Sequence, residues 1–457
     1  MISKTQIQDL LAVLTQNGAD FADIFISETR NSVIICDDDK IEKIISGIDL
    51  GIGIRSITGS EISYIAGNEI NFDDLRTRCE TLGQISKPKT STSIDLREAK
   101  HHLDLEIKRT PQSVPIDEKV KAVQLANKTA RAFGNLIRQV SVGYADSVQN
   151  VIIANSEGEY VKDNRTRTRF TVNVIAEKNG FLQNGYEAPG GFCGFELLDK
   201  FKPEILAEKA TKRAILMLDA PHAPSGKMTV ILSSEAGGTM IHEACGHAFE
   251  ADFIYKKTSV FTNKMGKKVA SDLITVIDDA TIPGKFGTYR FDDEGTPSHR
   301  NVLIENGIMK SIMSDRYNAK LLGIKSSGNG RRESFRNKPT PRMSNTFIAQ
   351  GKTPPEEIIS SVNNGLFVRK MGGGQVDVVN GDFVFEVTEG YIIENGKIKN
   401  PVRGAILTGN GPKILEIIDM VGTDLEFATG VCGKYDHAPV SDAQPTIRIP
   451  EIVVGGR

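Results

Sequence analysis

The chain runs to 457 residues with a formal net charge of −2, and this near-neutral balance leaves no electrostatic footprint for gripping nucleic acid or an anionic membrane. No apolar run is long enough to span a bilayer, and the length exceeds one ordinary core, so a water-soluble protein of two or three domains is expected. Five cysteines (Cys36, Cys79, Cys193, Cys245, Cys432), odd in number and scattered, argue against a disulfide framework and for a reducing cytoplasm.

Ile7, Leu10, Leu11 and Leu14 recur at spacings of three and four, which predicts an amphipathic helix over 5–16 rather than a secretion signal. Strand-like runs follow at 22–27, 31–39 and 51–57, separated by polar or glycine-containing stretches as in antiparallel hairpins. From 86 to 115 the chain is polar and proline-punctuated and reads as a connector. A second helix has Asp117 near its start and carries Val120, Val123, Ala126, Ala130 and Phe133 on one face. Strands resume at 139–146, 149–158 and 169–180. The run at 31–35 is echoed at 149–153, which reads either as a duplicated helix-plus-hairpin unit or as coincidence between common β patterns. A third helix fits 203–218, opened by Pro203, and 219–226 reads as a linker. Beyond it glycine turns separate short strands, with Asn306-Gly307 and Asn395-Gly396 as hairpin signals. The expected fold class is α+β in two domains. Residues 1–220 form an N-terminal α+β domain of antiparallel sheets and helices; residues 226–457 form a β-rich domain carrying a metal-binding helix.

That helix is expected at IHEACGHAFEAD (241–252), directly after the strand 227–234. Zinc-protease helices place two histidines four apart, so that both imidazoles meet one ion and the glutamate between them reaches the attacking water. Here His242 and His247 are five apart, about 140° round a regular helix. Three readings follow. A π-type turn, favoured where Gly246 weakens the helix, brings the two rings together. Alternatively His242 and Cys245 are the ligands and His247 is structural. In the plainest reading both histidines only pack. Catalytic zinc takes three protein ligands and leaves one position open, and the segment 428–442 offers Cys432, Asp436 and His437, with His299 a weaker source. Glu250 and Asp252 either orient the imidazoles or sit in solvent. Asp292-Asp293-Glu294-Gly295 reads first as a polar turn, with a cation site as the alternative. Arg331, Arg332, Arg336 and Arg342 read first as a solvated basic face, with a site for a peptide carboxylate as the alternative, and the glycine strings lack the context of a phosphate loop.

HEACGHAFEAD (242–252) resembles the metal-binding signature of the TldD/PmbA family of metalloproteases, also called modulators of DNA gyrase. The resemblance continues through 291–316, 328–348, 407–422 and 430–449, in order, across the C-terminal half. It implies zinc held by His242, His247 and Cys432, with Glu243 as the catalytic general base for hydrolysis of peptides or unfolded polypeptides. It also implies the TldD branch, since the PmbA (TldE) branch lacks the motif, and a partner subunit that is either a second copy or a PmbA-type paralogue. Cys245 is not part of the family pattern. The competing class is a non-catalytic regulatory or binding subunit, acting on DNA gyrase or a toxin system.

Overall fold

The computed structural model describes residues 2–83, 94–101 and 103–456. The connector expected over 86–115 lies in part outside the described residues, and what is described of it has little regular structure. The chain is α+β throughout. Its N-terminal part repeats one arrangement twice: a helix, a long hairpin, a third strand and a closing helix. The first unit is α1 (Lys4–Gln16), β1 (Phe21–Asp37), β2 (Lys40–Thr58), β3 (Glu61–Gly67) and α2 (Phe72–Gly83). The second is α3 (Ile116–Arg131), β4 (Ile137–Asn155), β5 (Glu159–Lys178), β6 (Phe181–Glu187) and α4 (Pro203–Leu218). The units share one sheet, in the order β3-β2-β1-β4-β5 with β6 beside β5. β1 and β4 pair antiparallel, and Arg30 lies opposite Val148, so the echoed runs sit symmetrically about that pair.

Several stretches expected as short separate strands are continuous. Ile24 and Ile26 of β1 pack under α1 and α2, while Ile34 and Cys36 pack under α3 and α4. Between the two helix pairs Arg30 and Asn31 are exposed. Ladder hydrogen bonds need no apolar side chain, so a gap between covering helices interrupts the hydrophobic pattern without ending the strand.

Side chains of a strand alternate between faces, and the other face of this sheet lies against the C-terminal part. Phe25, Val151, Ile153 and Val161 pack on Phe291 and Phe335. Charged groups join the same contact. Arg55 donates to Asp23 at 2.7 Å and to Glu294 at 2.6 Å, and all three side chains are fully buried. Arg165 pairs with Asp163 and Asp293. The string 292–294 is indeed a turn, with Asp292 accepting from the N–H groups of Glu294 and Thr296, but it is buried and ionic rather than solvated. The basic face is likewise not on the surface. Arg331, Arg332 and Arg342 are buried, because the hairpin that carries them is wedged between the two parts; Arg336 alone stays exposed, held by Asp49 at 2.7 Å.

The C-terminal part is built on a closed barrel of five strands. β7 (Gly226–Leu232) pairs in parallel with β8 (Asn364–Val376), which pairs with β9 (Asp382–Glu394), then β10 (Ile406–Asn410). A last strand, Ile447–Gly455, closes the ring between β10 and β7. Both asparagine-glycine signals are hairpin turns with positive φ at both positions, 47° and 79° at Asn306-Gly307 and 50° and 70° at Asn395-Gly396, the form that matches strand twist. Beside the barrel lies a second sheet. It contains β11 (Glu426–Gly433) at one edge, then β12 (His437–Gln444), then strands Asn345–Ile348, Val276–Asp279, Arg300–Glu305 and Ile308–Met309. The segment after β7 runs between barrel and sheet, where Met240, Ile241, Ala244 and Phe249 join the main core.

Asp315 caps the helix Arg316–Leu322, accepting from Asn318 N at 2.8 Å, and is buried. Burial and the neighbouring Glu294 carboxylate push its carboxyl up to about 7, against the pull of Arg55 and of the bonds from Asn318. A carboxyl raised in the native state binds its proton more tightly folded than unfolded, so it costs stability as pH climbs from about 4 through about 7. Asp315→Asn keeps an oxygen for the cap and removes that cost. Urea unfolding is expected to find the variant more stable than the parent by on the order of 2–4 kcal/mol at pH 8, with the gap closing toward pH 4.

Candidate metal centre

The local chain path explains how two histidines five apart can meet. After β7, a single helical turn at Thr239–Ile241 leads into a π-type turn over His242–Gly246 and a tight 3₁₀ turn over His247–Phe249. The wider turn brings the rings within 5.3 Å of each other, centroid to centroid, and nearly perpendicular. Two glycines permit the close packing that holds this path. A Cβ on Gly238 would collide with the backbone of Ala443 on β12, and one on Gly246 would collide with Met343 Sδ.

β11 brings Cys432 to the same place. The ligand atoms of His242, His247 and Cys432 lie within 4.8 Å of one another, all three residues buried. Cys432 Sγ is 3.4 Å from His247 Nε2. An ion bonded at zinc distances in tetrahedral geometry separates its ligand atoms by roughly 3.3–3.8 Å, so the trio is near the required spacing. Glu243 stands beside it, its Oε2 3.9 Å from His247 Nε2, with a third of its side chain exposed.

Neighbouring charges set the electrostatics. Glu250, fully buried, accepts the Nδ1 hydrogen of His247 at 2.9 Å and so turns Nε2 toward Cys432. This is the usual second-layer arrangement of a metal-binding imidazole. Lys434 bridges Glu250 at 3.0 Å and Asp252 at 2.7 Å. Glu250 and Asp252 are therefore both engaged rather than solvated. Burial works against ionising Glu250, but Lys434 and His247 bring its carboxyl down to about 2. Burial also disfavours the Cys432 thiolate, yet the two histidines lower the thiol to about 5. Burial opposes protonation of His247, which Glu250 and Cys432 nevertheless raise to about 10, and His242 is raised in the same sense by Cys432. His242 Nδ1 is buried without a hydrogen-bond partner. A thiolate and two imidazoles whose ligand atoms converge are the donors a divalent cation takes.

The other candidates lie elsewhere. Cys245 packs in the apolar core, and burial raises its thiol. His299 is exposed, with Nδ1 3.3 Å from Pro297 O. His437 is exposed beside Glu333, and Asp436 is taken by Arg342. Sequence reasoning set Arg342 on a solvated face; it is buried instead, and its Nη2 donates to Cys432 O at 2.6 Å and fixes the strand that presents the thiol. The same reasoning missed Lys434 and Asp442; the latter accepts Gly238 N at 2.9 Å. Each acts across long sequence separations, where local pattern carries no signal.

Family models describe the same chain in three pieces: PmbA/TldA metallopeptidase domain 1 over 22–86, the central domain over 109–218 and the C-terminal domain over 225–456. The chain belongs to the PmbA/TldD metallopeptidase family. It is 34% identical to a metalloprotease TldD homolog of Haemophilus influenzae, over 100% of this chain and 97% of that one. It is 37% identical to a metalloprotease of Methanocaldococcus jannaschii, over 98% and 99%. A zinc metalloprotease TldD homolog of Saccharolobus solfataricus is 27% identical over 96% and 97%. Among solved structures, a candidate modulator of DNA gyrase from Thermotoga maritima superposes with a TM-score of 0.81 at 20% identity, covering 99% of this chain and all of that one. TldE from Thermococcus kodakarensis gives 0.78 at 20%, covering 99% and 100%. These two likenesses establish the fold. No helix among the described residues is long and apolar enough to cross a membrane.

Removing Arg342 strands a buried carboxylate and the Cys432 carbonyl together. Arg342→Met is expected to lose about 3–5 kcal/mol in urea unfolding. Arg342→Lys is expected to recover only part of it, since an ammonium cannot serve both acceptors as the planar fork does.

Proposed function

We propose that this member of the family is a zinc-dependent peptidase acting on peptides or unfolded polypeptides. His242, His247 and Cys432 hold the metal and Glu243 is the general base. The observation that carries the reading is the convergence of two imidazoles and a thiol on one point, with one partly exposed carboxylate beside them. The names of the relatives agree with it, one of them specifying zinc.

A zinc ion in this place supplies Lewis acidity for attack of water on a peptide carbonyl. Glu243 takes a proton from the attacking water and passes it to the departing amine. Its exposure lets it exchange that proton with solvent between turnovers. Glu250 keeps His247 in the tautomer whose Nε2 lone pair faces the ligand cluster, and Lys434 keeps Glu250 ionised. The thiolate adds negative charge to the donor set, moderating the ion's acidity compared with three neutral imidazoles.

In this reading 226–457 is the catalytic domain and 1–220 an N-terminal α+β domain, and the chain works with a partner, a second copy or a PmbA-type subunit. Five cysteines without a disulfide fit work in the cytoplasm. A substrate strand can add to an open sheet edge through main-chain bonds, which suits cleavage with little sequence preference.

Metal analysis beside a casein or peptide cleavage assay tests the proposal and separates it from a non-catalytic binding role. The protein is expected to carry about one zinc per chain and to lose cleavage on chelation, regaining it with added zinc. Full activity after exhaustive chelation would sink the metal's role. Glu243→Gln is expected to keep its zinc and lose at least about 100-fold in turnover; a variant as active as the parent removes Glu243 from the chemistry. Cys432→Ser is expected to lower zinc occupancy.

A further inference from the structure

The reverse face of the Cys432 ribbon borders a cavity of about 840 Å³ between the N-terminal sheet and the C-terminal part. In the β11–β12 ribbon, Cys432 and Ala438 turn toward the main core, whereas their neighbours Val431 and Pro439 line the cavity. The cavity is therefore behind the metal centre and separated from it by one layer of backbone.

Its walls are rich in guanidinium groups. The alternation Arg165-Thr166-Arg167-Thr168-Arg169 on β5 sends three arginines to one face, and Arg331, Arg332 and Arg336 meet them from the wedged hairpin. Three of the six have carboxylate partners: Arg165 with Asp293, Arg332 with Asp23 at 3.5 Å, and Arg336 with Asp49. Among the described residues no carboxylate lies within ion-pair distance of Arg167, Arg169 or Arg331. Arg167 donates only to the carbonyls of Phe286 and Thr288, at 2.9 and 2.8 Å. Arg331 donates to Met343 O at 2.6 Å and stacks on Tyr289. Arg169 reaches only the Tyr186 hydroxyl, at 3.3 Å, and its Nε is buried without an acceptor. A guanidinium has five N–H donors, so most of these remain unused.

The acidic groups on the walls are already engaged. Asp146 is held by Lys119 at 2.6 Å, and Glu333 by His437. Asp292 accepts three backbone N–H groups, and burial raises its carboxyl well above the usual range, which favours its neutral form. Burial, with the charges of Arg331 and Arg165, pushes Arg167 down to about 9. The protein thus brings positive charges together without supplying the anion that would relieve them. Fixed, partly dehydrated forks of this kind select planar oxyanions. The volume and the aromatic walls of Phe286, Tyr289 and Phe291 suit an organic ligand larger than a free ion.

We propose that this cavity binds the carboxylate of a peptide, a C-terminal or acidic side-chain carboxylate, through Arg167, Arg169 and Arg331. The peptide part of the assignment rests on the peptidase reading; the oxyanion part does not.

Calorimetric titration of the full chain with N-acetyl-Ala-Ala-Phe as free acid and as amide tests it. Each titration is run on protein as purified and after removal of metal by chelator and dialysis, with inorganic phosphate as a separate arm. The acid is expected to bind at least about tenfold more tightly than the amide, equally in both preparations, and to weaken at high salt. Arg167→Gln and Arg169→Gln, each checked for folding by circular dichroism, are expected to weaken acid binding about tenfold and leave the amide unchanged. Equal binding of acid and amide overturns the proposal, as does an acid preference that both variants retain. A preference that vanishes with the metal assigns the carboxylate to the metal centre instead. Phosphate binding lost in the variants, without an acid–amide difference, marks a site for free anions and overturns the peptide assignment. The metal-free preparation keeps these outcomes distinct from failure of the peptidase reading.

Discussion

Two imidazoles five positions apart can face one point only if the chain between them takes a turn wider than an α-helix allows. Everything at the candidate centre depends on that one π-type turn. A regular helix would leave His247 about 140° from His242 and would send one ring into the core. The wide turn is unfavourable in isolation, so the surroundings must impose it. Gly238 lies hard against β12, Gly246 lies hard against Met343, and the apolar side of the segment sits in the main core between barrel and sheet. The same core residues that stabilise the C-terminal part therefore also set the geometry of the donors.

The wider architecture rests on buried charge. Arg55, Asp23 and Glu294 sit without solvent where the N-terminal sheet meets the C-terminal part, and Arg165 with Asp293 lies on the same contact. Dehydrating such groups costs much of what their attraction returns, so apolar replacements of the same shape can be no less stable. Their physical consequence is register. An apolar sheet face tolerates sliding, whereas a guanidinium between two carboxylates fits one docking of the two parts. Since Glu333 and Arg342, from the hairpin beside that contact, hold the 436–437 corner and the Cys432 carbonyl, correct docking also bears on where Cys432 stands.

How much of this the sequence discloses follows from the range of each interaction. Helices 4–16, 116–131 and 203–218 are legible because a helix declares its buried face within a few residues. The asparagine-glycine turns are legible because the required positive φ is a local demand. The four long strands are not, since their pattern is set by which helices cover them, and those come from elsewhere in the chain. The donor trio was open to several readings on spacing alone, because whether a turn widens depends on Met343 and Ala443, about a hundred and two hundred residues away. The arginines at 331, 332 and 342 look solvated for the same reason: their partners, Asp293, Asp23, Asp436 and the Met343 and Cys432 carbonyls, belong mostly to other segments. The alternation at 165–169 did carry a local signal. Three arginines two apart on a strand must share a face, and a face that charged, next to an apolar run, points to burial against partners or to a ligand.

The ribbon β11–β12 ties these observations together through strand parity. Its residues alternate between two environments. Cys432 and Ala438 turn to the core and the histidines, while Val431 and Pro439 turn to the arginine-lined cavity. Arg342 grips the ribbon at the Cys432 carbonyl and at Asp436, on the strand end that would otherwise be free to fray. A displacement of this ribbon by one residue would exchange the faces, turning the thiol to the cavity and Val431 to the imidazoles. The two regions are therefore not independent: whatever fixes the register of β11 on β12 fixes both the donor set and the back wall of the cavity. That places the strongest structural constraint on the ribbon itself, and it explains why a buried arginine, rather than one more apolar contact, holds its end.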